Sequence, residues 1–210
     1  MQLVLGAKSL DRVVLDVEQL LLAYRADDGY SYLEFSPSSP VDQIVPEDLA
    51  VTLLVNSRVT GQCFKSILER GASVDLRQLT SKPLETTTAE ERTATAAVIA
   101  TVASWPGFAS STATKVLHKK RPALIPILDN QAIFGAYMNP SWPGRKSLQD
   151  SVKDQRRIED ALQWIATDLA RPENVAVWAE LQMIEPKRSL IQLFDSIWWM
   201  YFRKMEPLRG

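Results

Sequence analysis

Two helical patterns meet at a Pro-Gly pair, and no other feature constrains the fold of this chain as much. Thr88-Ala-Glu-Glu91 has the spacing of a capping box, in which hydroxyl and carboxylate each satisfy a free helix N–H. It predicts a helix to about Ser104. Pro106-Gly107 closes that helix, and Ser110 is placed to cap a second over 111–120. Pro122 and Pro126 bracket a short extended connection, and Asp129 stands at an N-cap position before "NQAIFGAYM". The expectation is a helix, a tight turn and a helix, followed by an aspartate at the start of a third.

The flanking segments read as helical too. Ser9 is placed to cap a helix through about Tyr24, with Leu10, Val13, Val14, Val17, Leu20 and Leu21 on one face. Residues 30–40, rich in Ser and Pro, read as a loop. Pro46 sits in the first turn of another helix. Thr60 caps one through Arg70, which Gly71 ends, and a short turn of helix fits 75–80. After a Pro/Gly/Trp loop at 139–146, three helices are expected near 147–170, 173–184 and 187–204. The Trp-rich last one reads as a core-packing helix. The predicted fold class is all-α: one compact domain of 210 residues with about eight to ten helices.

With 46% apolar and 23% charged residues the chain can build a real core. No apolar run reaches the roughly 18 residues of a bilayer span, and the N-terminus lacks the pattern of a signal peptide. Cys63 is the only cysteine, which excludes an internal disulfide framework, a Cys-rich zinc site and a cysteine-bound iron–sulfur cluster. A reducing cytoplasm is the simplest compartment. There is no Walker loop, nucleotide-binding Gly triplet, HExxH or EF-hand loop, so no cofactor or metal is expected. The formal net charge is −1, but residues 111–157 hold nine Lys/Arg against three acids. That asymmetry fits either a basic nucleic-acid face or a set of solvated helix surfaces.

The stretch "WPGFASSTATKVL", 105–117, resembles the hairpin of the helix-hairpin-helix base-excision DNA glycosylases. Trp105, Pro106, Gly107, Phe108 and Ala109 fill the turn, Ser110 and Ser111 follow, and Thr112-Ala113 opens the apolar helix. Asp129, eighteen residues beyond Ser111, matches the family's catalytic aspartate in spacing. In two places the chain departs from the pattern. Ala109 replaces the second hairpin glycine, and Ser111 stands where bifunctional members carry a nucleophilic lysine, so Schiff-base lyase chemistry is not expected there. A broader resemblance, carried by "PEDLAVTLL", "ATKVLHKKRPALIPILDNQ" and "RSLIQLFDSIWWM", is to a bacterial family of unknown function and runs over most of 46–200.

The glycosylase resemblance implies DNA binding with monofunctional base excision. The alternative is a non-catalytic scaffold of the same fold that binds nucleic acid or protein. In the first case Asp129 supports N-glycosidic cleavage; in the plainer case it only caps a helix. Gly107, Ala109, Ser111 and Thr112 would present backbone to a phosphate. Lys115, Lys119, Lys120, Arg121 and Arg145 would add phosphate contacts, although the first four equally suit a helix C-terminus. Trp142 is the candidate for stacking on an extruded base, while Phe134 and Tyr137 fit the core. His118, the only histidine, has no second base for a triad and reads as structural.

Overall fold

A computed structural model describes residues 1–6, 12–27, 32, 34–35, 38–55, 59–139 and 152–205. The chain opens with a hairpin instead of a helix. β1 (Gln2–Leu5) pairs antiparallel with β2 (Arg12–Leu15), with Leu3 opposite Val14. Leu3, Leu5 and Val14 point into the core while Val13 and Leu15 face outward. Of the run read as a helical face, Arg12–Leu15 is therefore a period-two strand, in which adjacent β-branched valines suit a pleated, half-buried surface, while Ser9 and Leu10 lie outside the described residues. Asp16 breaks the strand in a left-handed conformation, φ 55°, and α1 (Val17–Arg25) begins only after it.

The side-chain amide of Asn174 bonds both polar groups of Val4, accepting from its N–H at 2.9 Å and donating to its C=O at 2.8 Å. Asn174 thus acts as a third strand on the free edge of β1. Asp168 accepts from Gly6 N and from the Tyr137 hydroxyl at 2.5 and 2.6 Å. These bonds pin the hairpin to the helical body.

After α2 (Asp48–Leu53) and α3 (Gly61–Arg70) the chain makes 3-10 turns at Gly71–Ser73, Leu76–Gln78 and Leu84–Thr86. Gly71 follows α3 as expected, but with right-handed φ of −56°. Its glycine is required by packing, since a Cβ there would lie 2.3 Å from the Ile44 carbonyl oxygen. The capping box then forms with both of its bonds, Glu91 N to Thr88 Oγ1 and Thr88 N to Glu91 Oε2, and opens α4 (Ala89–Ala103). α5 (Ser110–Lys120) follows across the Pro-Gly turn as the sequence predicts, but Ser110 is its first residue and not its cap: Ala109 holds the N-cap position, with no side-chain cap bond.

Asn130–Tyr137 is wound as a π-helix, with Phe134 N bonded to Asp129 O and Met138 N to Ile133 O. A π-turn carries one residue more per turn than an α-helix and recurs at functional sites. α6 (Gln155–Leu169), α7 (Pro172–Ile184) and α8 (Leu190–Met205) complete the described chain. α4 packs on α5 and α6, and α8 packs on α1 and the π-helix. Phe194, Ile197, Trp198 and Phe202 of α8 are buried. Trp198 donates its indole N–H to Ala132 O at 2.8 Å, and Tyr137 meets the Phe194 and Trp198 rings edge-on. The Trp-rich helix is thus a core helix. The fold is mostly helical with one small two-stranded sheet, and no helix among the described residues is long and apolar enough to cross a membrane.

Candidate active-site cleft

α5, the π-helix and α8 converge on one cleft. α8 contributes Asp195, Trp198 and Trp199, whose i, i+3, i+4 spacing puts them on one helix face. The start of the π-helix contributes Asp129, Ala132 and Ile133 with the same spacing, and α5 contributes Lys115. Tyr24, Val55 and Ile127 close the sides. The cleft is narrow, with a cavity volume of about 70 Å³.

Asp129 is an N-cap, as expected: Oδ1 accepts from Gln131 N at 2.8 Å and Ala132 N at 2.9 Å. Capping fixes its rotamer without removing it from the cleft. Burial holds the Lys115 ammonium below its ordinary pKa, opposed by the attraction of Asp129. Asp195 is nearly buried, its side chain 8% exposed. Its Oδ2 accepts from Ile127 N at 3.1 Å, and burial pushes its pKa well above the usual carboxylate range. His118 Nδ1 is 3.7 Å from the same oxygen but 2.7 Å from Ile125 O, so its N–H belongs to Ile125. Burial draws the His118 pKa down to about 4. The sequence reading missed Asp195. Its only signal was an acid set among apolar residues in "LIQLFDSIWW".

The hairpin turn is less open than the sequence suggests. Trp105 and Phe108 are buried edge to face, 5.5 Å apart. Cys63 Sγ donates to Gly107 O at 3.1 Å and Ser66 Oγ to Pro106 O at 2.8 Å, docking the turn on α3. Between Ala109 and Ser111, two of the residues expected to face a phosphate, the Ser110 amide donates to Val152 O at 3.1 Å. Ala109, Ser111 and Thr112 are half-buried at the start of α5, which has no side-chain cap. Gly107 has φ of +85°, and a Cβ would meet Cys63 N at 2.9 Å. Gly107→Ala is therefore expected to cost about 2 kcal/mol from left-handed strain and overpacking, read as a lowered urea midpoint.

The basic run also needs correction. Lys120 is buried and bonds Asp48 Oδ1 at 2.7 Å, Ser39 Oγ at 2.7 Å and Pro40 O at 2.9 Å, so it is no phosphate ligand. Lys119 bonds the carbonyl oxygens of Tyr32 and Phe35 and sits 4.1 Å over the Tyr32 ring. Arg121 bonds Asp42 Oδ1 at 2.7 Å and Leu76 O at 2.9 Å. The three charges are thus spent on Tyr32, Phe35, Ser39, Pro40 and Asp42, whose carbonyl and side-chain oxygens need donors. Lys115 alone of this group lies in the cleft with Asp129. Trp142 and Arg145 lie outside the described residues.

The fold and the cleft together define a mostly helical protein with a small, aromatic-walled site bearing two carboxyl groups and one amine. The chain belongs to the family of unknown function DUF6308, whose model matches residues 18–202. Neither the curated proteins nor the solved structures yield a match to it.

Proposed function

We propose that the cleft accepts a nucleobase and that Asp129 supports monofunctional hydrolysis of its N-glycosidic bond. One observation carries the reading: Asp129 opens onto a cleft shared with Lys115 and walled by Trp198, Trp199 and Tyr24. Aromatic walls offer π-faces to a flat heterocycle extruded from the stack. A carboxylate held by two backbone N–H groups is preorganised beside the sugar carbon, where positive charge develops as the bond to the base breaks. Water then adds to that carbon and the base leaves with the proton. The helix-turn-helix of α4 and α5, followed by an aspartate at a helix start, fits the glycosylase-like arrangement that the hairpin motif implies.

The engagement of Lys119 with Phe35 O, Lys120 with Asp48 and Arg121 with Asp42 favours the second reading, a non-catalytic binding scaffold, because it removes cations from any phosphate surface. Base release from duplexes bearing uracil, alkylated or oxidised bases, with abasic sites revealed by alkali, decides between them. Asn caps helices about as well as Asp, so Asp129→Asn is expected to leave the melting temperature nearly unchanged while base release drops about 100-fold. Equal release by both proteins removes Asp129 from catalysis. No release by the wild type across the panel leaves the scaffold.

A further inference from the structure

We propose that the outer edge of β2 is a self-association surface, on which a second copy of this chain adds its own β2 antiparallel, about a two-fold axis at Val14. The surface lies outside the cleft and stands whatever the cleft accepts.

The two edges of the hairpin differ. In an antiparallel pair, residues alternate between those that bond across the pair and those whose N–H and C=O point away from it. Val4 gives both of its main-chain groups to the Asn174 side chain, so they point away from β2. Gly6 N, two residues on, is likewise taken by Asp168. The edge of β1 is therefore closed. Val4 lies opposite Val13, and Gln2 opposite Leu15. By the same alternation the N–H and C=O of Val13 and Leu15 point outward from β2, and nothing among the described residues bonds them. The two residues are apolar, and 48% and 59% exposed. An edge strand is ordinarily guarded by lysine, proline, a bulge or a covering segment, because its unpaired groups are a template for another strand. β2 pairs in unbroken register and carries neither lysine nor proline.

The sequence of β2 suits a copy of itself. Main-chain bonds form only between outward-pointing residues. Within β2 one register joins both of them to both of the copy's, with Val13 opposite Leu15 of the copy and Leu15 opposite its Val13. Each such pair exchanges both of its bonds, and the apolar side chains meet across the strands. The same register sets Arg12 opposite Asp16 of the copy, cation against anion. Asp16 is exposed and makes no ion pair among the described residues. Association closes at two copies. The joined sheet runs β1, β2, β2, β1, and both of its outer edges are then the β1 edge that Asn174 occupies. Such an isologous contact gives a closed dimer, not a fibre.

The test is sedimentation equilibrium of the full chain from about 1 μM to about 1 mM. A short edge buries less than a standard interface, so the mass is expected to rise from one copy to two with a midpoint of about 50 μM. Val13→Lys/Leu15→Lys sets like charges opposite one another at exposed positions. It is expected to weaken association at least about tenfold while the melting temperature stays within about 3 °C. Cross-linking reads the register. Opposed residues of a hydrogen-bonded pair have Cα atoms about 5.5 Å apart, which suits a disulfide, whereas the two copies of one residue, offset along the strands, exceed the limit of about 7 Å. Under mild oxidation an equal mixture of Val13→Cys and Leu15→Cys is therefore expected to form covalent dimer about tenfold faster than either variant alone. Cys63 is buried and stays out of the reaction.

A single-copy mass at about 1 mM overturns the proposal, as does growth beyond two copies. A dimer that Val13→Lys/Leu15→Lys leaves intact is held by another surface and overturns it too. Equal cross-linking of the mixture and of each variant alone rules out the pairing about Val14. Should the lysine variant fold poorly, cross-linking decides.

Discussion

Lys120→Met is expected to destabilise the protein by about 3–5 kcal/mol, because it strands a buried carboxylate. The Lys120 side chain is 1% exposed and that of Asp48 is 0%, at 2.7 Å. Without the ammonium, Asp48 keeps the Val45 N–H at 2.8 Å and the Ser39 hydroxyl at 2.5 Å, two neutral donors for a full charge. The loss is a large share of the roughly 5–15 kcal/mol that stabilises an ordinary domain. The double variant Lys120→Met/Asp48→Asn removes both charges while its amide oxygen still accepts from Val45 N, and most of the stability should return. Urea denaturation of the two single variants and the double variant measures the coupling. A wild-type midpoint in Lys120→Met would show that the pair does not hold the 39–48 segment. The same physics makes charge reversal at 119–121 unsuitable as a probe of phosphate binding, since reversal at Lys120 attacks the fold.

Acid should weaken the fold through His118. Its pKa is near 6.5 when unfolded and about 4 when folded, because burial disfavours the imidazolium. The stabilising contribution is complete above the unfolded value. It is lost as pH falls through the window down to the folded value, and amounts to on the order of 3 kcal/mol. Nε2 has no hydrogen-bond partner among the described residues, so protonation there creates a buried donor with nothing to bond. Asp195 acts in the opposite sense. Its raised folded pKa means that stability falls as pH rises above the unfolded carboxylate value. The informative quantity is therefore the difference in unfolding free energy between wild type and His118→Asn across that window. Asn keeps a donor for Ile125 O but does not titrate, so the two curves should converge as pH falls. Parallel curves would show that folding does not shift the His118 pKa.

Local chemistry carried the sequence reading where a few neighbouring residues decide the outcome. The Thr88–Glu91 capping box, the Pro106-Gly107 break and the Asp129 cap all depend on bonds spanning a turn or less, and all are present, whereas the cap expected of Ser110 is not. The same holds for Pro172 in the first turn of α7. The N-terminal hairpin was not legible. Val13-Val14 serves a strand or a helix, and the choice rests on Asn174 and Asp168, more than 150 residues away in the chain.

The candidate site divides along the same line. Asp129 could be singled out from its spacing behind the hairpin, since capping is a local property. Lys115 and Lys120 are both lysines of one short basic run, and the sequence cannot rank them. Only the packing of α5 turns one toward Asp129 in the cleft and the other into a buried pair with Asp48. Asp195 looks like an acid misplaced in an apolar helix until Ile127, Lys115 and Asp129 are brought around it. Sequence alone determined the central helices, the Thr88 and Asp129 caps and the Pro106-Gly107 break, because those energies are settled within a turn or two of chain. Tertiary structure alone decided which polar side chains share a cleft and which are buried in pairs, because desolvation depends on what distant segments place around a charge.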